Sequence, residues 1–124
     1  MDLVPVEPGR LRKLLNPEVV QMKLDIFDNS LQLFVNKSDL DELSRGVDCG
    51  GSIHFPGGKF IEYKLGPTSE AVITASFSGS AIRIGVPAPD LALFASRDRL
   101  SLSAEIPFNK AKPLRVFIER DLEN

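Results

Sequence analysis

The sequence predicts an α+β fold that is mostly β: two pseudo-duplicated ββαββ units forming an antiparallel sandwich or a partly closed barrel, with two short helices. Three observations carry this. From Met22 onward, apolar residues alternate with polar ones over most of the chain, the period-two pattern of strands that bury one face. Turn-forming residues, such as Asp28-Asn29, Pro56-Gly57-Gly58 and Ser78-Gly79-Ser80, separate the alternating runs. Third, the run D-N-S-L-Q-L-F-V-N-K-S-D-L-D-E-L from Asp28 to Leu43 is echoed, at a shift of 51, by G-S-A-I-R-I-G-V-P-A-P-D-L-A-L-F from Gly79 to Phe94.

The elements follow in order. Leu24 and Ile26, then Leu31, Leu33 and Val35, form a hairpin around Asp28-Asn29, residues that tolerate positive φ. Ser38 with Asp41 three positions on reads as a capping box. Leu40 and Leu43 give that helix an apolar stripe before Gly46 ends it. Ile53 and Phe55, then Ile61, Tyr63 and Leu65, make a second hairpin. The second half repeats the order: Val72 to Phe77, then Ile82, Ile84 and Val86, a helix opened by Pro87 and Pro89 with Leu91 and Phe94 as its stripe, Leu100 to Ile106, and Leu114 to Ile118. Eight strands and two helices result.

Sliding the first half by 51 pairs Leu31 with Ile82, Asp39 with Asp90, Leu43 with Phe94, His54 with Glu105 and Pro56 with Pro107. Beyond the next loop a shift of 57 sets F-I-E at 60–62 on F-I-E at 117–119, and so Glu62 on Glu119. The preserved order of turn, strand, helix start and strand predicts pseudo-repeats at about 22–66 and 72–121, related by an approximate two-fold axis.

Ahead of them, residues 1–21 differ in kind. Pro5, Pro8 and Pro17 interrupt regular structure, and Arg10, Arg12 and Lys13 cluster beside Leu11, Leu14 and Leu15. This reads as an N-terminal arm on a single mostly-β domain of residues 22–124. Its apolar residues predict a contact, since burying three of them contributes on the order of 5 kcal/mol before ordering costs.

The length of 124 residues fits one hydrophobic core. A net charge of −2 gives no field for steering toward nucleic acid or an anionic membrane, and neither partner is expected. One cysteine excludes an intrachain disulfide, and no long apolar run or signal-peptide pattern is present, so the expected location is cytoplasmic. With no tryptophan and one tyrosine, eight phenylalanines supply most of the aromatic bulk.

The run M-K-L-D-I-F-D-N-S-L-Q-L at 22–33, together with L-R-V-F-I-E-R-D at 114–121, resembles an uncharacterised family of short bacterial proteins, a domain-of-unknown-function family. The resemblance covers Met22 to about Asp121. Asp25 and Gln32 stand where that family has basic residues, and Leu122 and Glu123 where it often has Phe and Cys. It implies a small bacterial domain beginning at Met22, and no activity comes with it.

No Walker loop, dinucleotide-binding fingerprint, nucleophile elbow or zinc-ligand spacing occurs, and no cofactor or metal is expected. The glycines at 50–51 and 57–58 read as turns and a bulge, because neither pair opens a helix. Cys49 and His54 fall on opposite faces of one strand, which rules against a nucleophilic pair. Two sets of residues remain. Phe27, Phe34, Phe60 and Phe117 share the parity opposite the core, and are either covered by the helices and arm or available as an interaction face. His54, Glu62, Glu105 and Glu119 share that parity too; a two-fold axis could bring them together, and otherwise they are polar neighbours of Lys59, Lys64 and Arg115 on a solvated face. The expected function is a small non-enzymatic protein-interaction or oligomerisation module, with a protein partner or a second copy of the chain. The rival is a small ligand- or metal-binding protein or enzyme with a site between the pseudo-repeats, built on those four polar residues.

Overall fold

The computed structural model describes residues 21–107 and 112–121, so the arm, except Gln21, lies outside the described residues. The elements are β1 (Lys23–Phe27), β2 (Ser30–Val35), α1 (Lys37–Ser44), β3 (Cys49–His54), β4 (Phe60–Thr68), β5 (Thr74–Ser78), β6 (Ala81–Pro87), α2 (Ala88–Ala95), β7 (Ser101–Ile106) and β8 (Leu114–Arg120). A 3-10 turn at Pro56–Gly58 joins β3 to β4. The mostly-β α+β class and the eight-strand, two-helix order stand among the described residues.

Local chemistry accounts for most element ends. Asp28 and Asn29 take φ of 43° and 58°, the two-residue turn whose twist matches paired strands. The capping box of α1 sits two residues earlier than the sequence pattern indicates. Asn36, not Ser38, has the extended backbone of an N-cap and accepts from the Asp39 N–H at 2.9 Å. Asp39 returns the bond, accepting from the Asn36 N–H at 3.0 Å. β2 ends at Val35, so the next residue with a short acceptor side chain takes the cap.

The sheets correct the expected antiparallel arrangement. Each half sends its first hairpin to one sheet and its second to the other, giving sheet 1 in the order β1-β2-β8-β7 and sheet 2 in the order β3-β4-β6-β5. Pairing is antiparallel inside each hairpin, whereas the hairpins join through parallel pairs, β2 with β8 and β4 with β6. Both sheets are therefore mixed, and their free edge strands leave no closed barrel. Tight turns dictate antiparallel neighbours; no turn links β2 to β8 or β4 to β6, and alternation looks the same in either direction.

The ladders also correct the internal alignment. Ser30 lies beside Arg115 and Ala81 beside Glu62, so a shift of 51 relates the first hairpins while a shift of 53 relates the second hairpins. Backbone bonds agree: the Arg115 N–H donates to the Asn29 carbonyl at 3.2 Å, as the Glu62 N–H does to the Ser80 carbonyl at 2.8 Å. The two extra residues fall in the loop after α2. The F-I-E match is therefore between non-equivalent positions, with Phe60 opposite His54 and Phe117 between Gln32 and Ser103.

One core joins the sheets. Leu33, Val35, Val116 and Ile118 from sheet 1 and Leu65, Ile84 and Val86 from sheet 2 are at most 1% exposed. Each such burial contributes about 1.5–3 kcal/mol. The helices pack against each other and against β3, β4 and β6, adding Leu40, Leu43, Leu91 and Phe94 to the core. At the N-terminal end, Met22 is fully buried and its carbonyl accepts from the Tyr63 hydroxyl at 2.6 Å. The Gln21 side-chain amide exchanges two 3.0 Å hydrogen bonds with the backbone of Ser52, standing in for a neighbouring strand at the edge of β3.

Candidate functional site

The two outer sheet faces share one pattern of strand pairing and carry different side chains. Cross-strand alignment on sheet 1 gives the rows Phe27, Ser30, Arg115, Glu105; Asp25, Gln32, Phe117, Ser103; and Lys23, Phe34, Glu119, Ser101. The corresponding rows on sheet 2 are Ser78, Ala81, Glu62, Ser52; Ser76, Arg83, Lys64, Gly50; and Thr74, Gly85, Gly66. Where sheet 1 carries Phe27, Phe117 and Phe34, sheet 2 carries Ser78, Lys64 and Gly85.

Three of the four phenylalanines singled out from the sequence thus share one face. Phe27 is 50% exposed, and Phe34 and Phe117 are half-buried. Phe60 is the exception. It lies on sheet 2, stacked on the His54 ring at 5.6 Å between centroids. The phenylalanines on sheet 1 sit among polar groups tied to one another. Gln32 Nε2 donates to Glu119 Oε2, and the Arg115 guanidinium donates to Ser30 Oγ at 3.2 Å and pairs with Asp28 at 3.5 Å. Neither helix makes its main packing on this face.

The four polar candidates are not brought together. His54 and Glu62 belong to sheet 2, Glu105 and Glu119 to sheet 1, all on positions that face away from the shared core. Equivalent hairpins of the two halves lie in different sheets, so equivalent outer positions fall on different sheets. His54 Nε2 lies 3.1 Å from Ser52 Oγ, and Glu119 is engaged by Gln32. Among the described residues no three His, Cys, Asp or Glu side chains are grouped to hold a metal ion. Arg115 is the cross-strand neighbour of Glu105, as expected, while its guanidinium pairs with Asp28.

The glycines at 50–51 serve packing. A Cβ on Gly50 would fall on the Tyr63 carbonyl oxygen, and one on Gly51 would meet the Tyr63 hydroxyl and the Gln21 amide. Cys49 is buried, and burial first, then the charges of Asp39, Glu42 and Asp48, push its thiol pKa up, which leaves it a protonated core residue.

Sequence reasoning missed two clusters. On sheet 2 the Arg83 guanidinium bonds both Asp48 oxygens, at 3.1 and 3.3 Å, and the Pro67 carbonyl at 3.0 Å. A Cβ on Gly66 would collide with Asp48, so the glycine makes room for the pair. The signal was an arginine alone in the apolar run A-I-R-I-G-V. The second cluster lies where the helices meet. Arg120 donates to the Phe94 carbonyl at 2.6 Å and lies over the Phe94 ring at 5.2 Å, with its buried Nε unpartnered. Burial, then the nearby charge of Arg97, lowers its pKa from the ordinary arginine value.

No helix among the described residues is long and apolar enough to cross a membrane. No curated protein and no solved structure matches the chain. A family of unknown function (DUF7009) matches over residues 22–123, most of the chain and all of both sheets. The chain belongs to that family.

Proposed function

We propose that this domain is a non-enzymatic self-association module that uses the outer face of sheet 1. The observation that carries the reading is the contrast between equivalent faces: Phe27, Phe34 and Phe117 on sheet 1 stand where Ser78, Gly85 and Lys64 stand on sheet 2. The same strand pairing forms on sheet 2 without aromatic residues at those positions. Large aromatic side chains clustered on a face where neither helix makes its main packing suit a contact surface, and burying one contributes about 1.5–3 kcal/mol.

A second copy of the chain is the partner the face fits best. A two-fold interface must be complementary to itself. Sheet 1 flanks its phenylalanines with both signs of charge, Lys23 and Arg115 against Glu105 and Glu119, so one face can meet its own rotated copy.

The test grafts the sheet 2 residues onto sheet 1. Sedimentation equilibrium of the double variant Phe27→Ser, Phe117→Lys should show monomer where the parent chain associates, with the circular dichroism spectrum retained. Equal association constants for the two proteins contradict the reading, and so does a parent chain that stays monomeric at every concentration.

A further inference from the structure

The geometry points to an oxyanion site in the groove between the two helices, where Lys37 and Arg97 would hold a phosphate-type group. The groove is lined by Lys37, Leu40, Asp41 and Ser44 from α1 and by Ala95 and Arg97 at the end of α2. The α1 residues are one helical stripe, at i, i+3, i+4 and i+7. Leu40 and Ala95 supply an apolar floor, and the two cations stand on walls contributed by different halves of the chain.

Three independent features set this groove apart. Lys37 and Arg97 make no ion pair and no side-chain hydrogen bond among the described residues. The carboxylate in the groove, Asp41, is paired with Arg45 at 3.5 Å, so the unpartnered charge is positive. The second feature is backbone conformation. Arg97 takes φ of 72° just past the end of α2, and the equivalent residue past α1 is Gly46, with φ of 76°. The left-handed conformation suits glycine and strains a residue with a Cβ, yet the second half carries an arginine there. The third is a neighbouring like charge: burial, and after it the charge of Arg97, lowers the pKa of Arg120, whose Nε is buried and unpartnered. An oxyanion on Lys37 and Arg97 offsets the repulsion and makes charge-assisted hydrogen bonds to both side chains.

Nitrogen–proton correlation spectra of the whole chain, titrated with inorganic phosphate and separately with glycerol phosphate, test the site. Saturable shifts confined to Lys37, Leu40, Ala95 and Arg97 are expected, with the ester tighter if the apolar floor contributes and equal if free phosphate alone is recognised. Arg97→Gly keeps the required backbone, so it should raise the melting temperature while weakening phosphate binding about tenfold or more. Lys37→Ala, on an exposed position, should weaken it similarly without a stability change. Shifts reproduced by chloride at matched ionic strength, or binding retained in both variants, overturn the proposal.

Discussion

The two halves of the chain repeat one ββαββ plan, and the places where they differ separate what the fold requires from what it merely permits. Both helices run for eight residues, between strands that bury the same inner positions. Yet α1 starts on the Asn36–Asp39 capping box and stops at Gly46, whereas α2 starts at Pro87 with Pro89 in its first turn and stops at Arg97. Two solutions to each helix end serve one architecture. The outer faces differ more. Sheet 1 carries three phenylalanines where sheet 2 carries a serine, a lysine and a glycine. A difference between equivalent positions shows that the shared plan does not itself dictate the residue; some such residues, Gly50 among them, answer to local packing, whereas the phenylalanines and Arg97 have no packing partner of that kind.

The largest effect should come from a pair of equivalent strand positions. Gly50 corresponds to Ser103 at the shift of 53, and only Gly50 has backbone from the neighbouring strand in its Cβ position. Gly50→Ala should cost about 3 kcal/mol in urea unfolding, and Ser103→Ala should stay within about 0.5 kcal/mol. Equal costs would break the assigned equivalence.

Tyr63 corresponds to Val116, a position with no hydroxyl. Tyr63→Phe leaves the Met22 carbonyl without its donor and should cost about 1–3 kcal/mol, a loss that Val116→Ile would not mimic. Tyr63 also contributes to the loss of stability at alkaline pH. Burial, and then Asp39, raises its pKa above the ordinary 10.0, so the folded state holds the proton more tightly than the unfolded chain. That contribution is complete below pH 10.0 and is lost as pH rises through the folded value. The raised thiol pKa of Cys49 acts in the same direction from its ordinary 9.0 upward. A urea-midpoint profile should therefore fall from about pH 9 upward, and above about pH 10 it should fall less steeply in Tyr63→Phe.

The smallest effects lie at the helix ends. Gly46→Ala should lower stability by about 1 kcal/mol and Arg97→Gly should raise it by about as much, opposite signs at equivalent positions. Thermal unfolding of the two variants checks both.

Much of the fold was legible because its determinants are local. Asp28-Asn29, the alternation of Leu31, Leu33 and Val35, and the stripe of Leu91 and Phe94 each act within a few residues. The parallel joints were not legible, since no turn connects the strands that meet there. Nor was the shift of 53: F-I-E recurs in sequence, but the ladder follows the inner residues Tyr63 and Leu65 onto Val116 and Ile118. The parity of Phe27, Phe34 and Phe117 could be read, while their separation from Phe60 depends on which hairpin joins which sheet. The same topology parts His54 and Glu62 from Glu105 and Glu119. Arg97 was within reach of the sequence, because the shift of 51 sets it on Gly46, the one position in that helix end that asks for glycine.

In the function proposed above, the outer face of sheet 1 is a contact surface and its equivalent on sheet 2 is not. Hydrogen exchange measured by mass spectrometry on the parent chain, at dilute and concentrated protein, locates such a contact without any substitution. Higher concentration is expected to slow exchange in peptides covering the β1–β2 hairpin and β8, and to leave the β5–β6 hairpin unchanged. Protection that rises in β5–β6, or in neither hairpin, would contradict it.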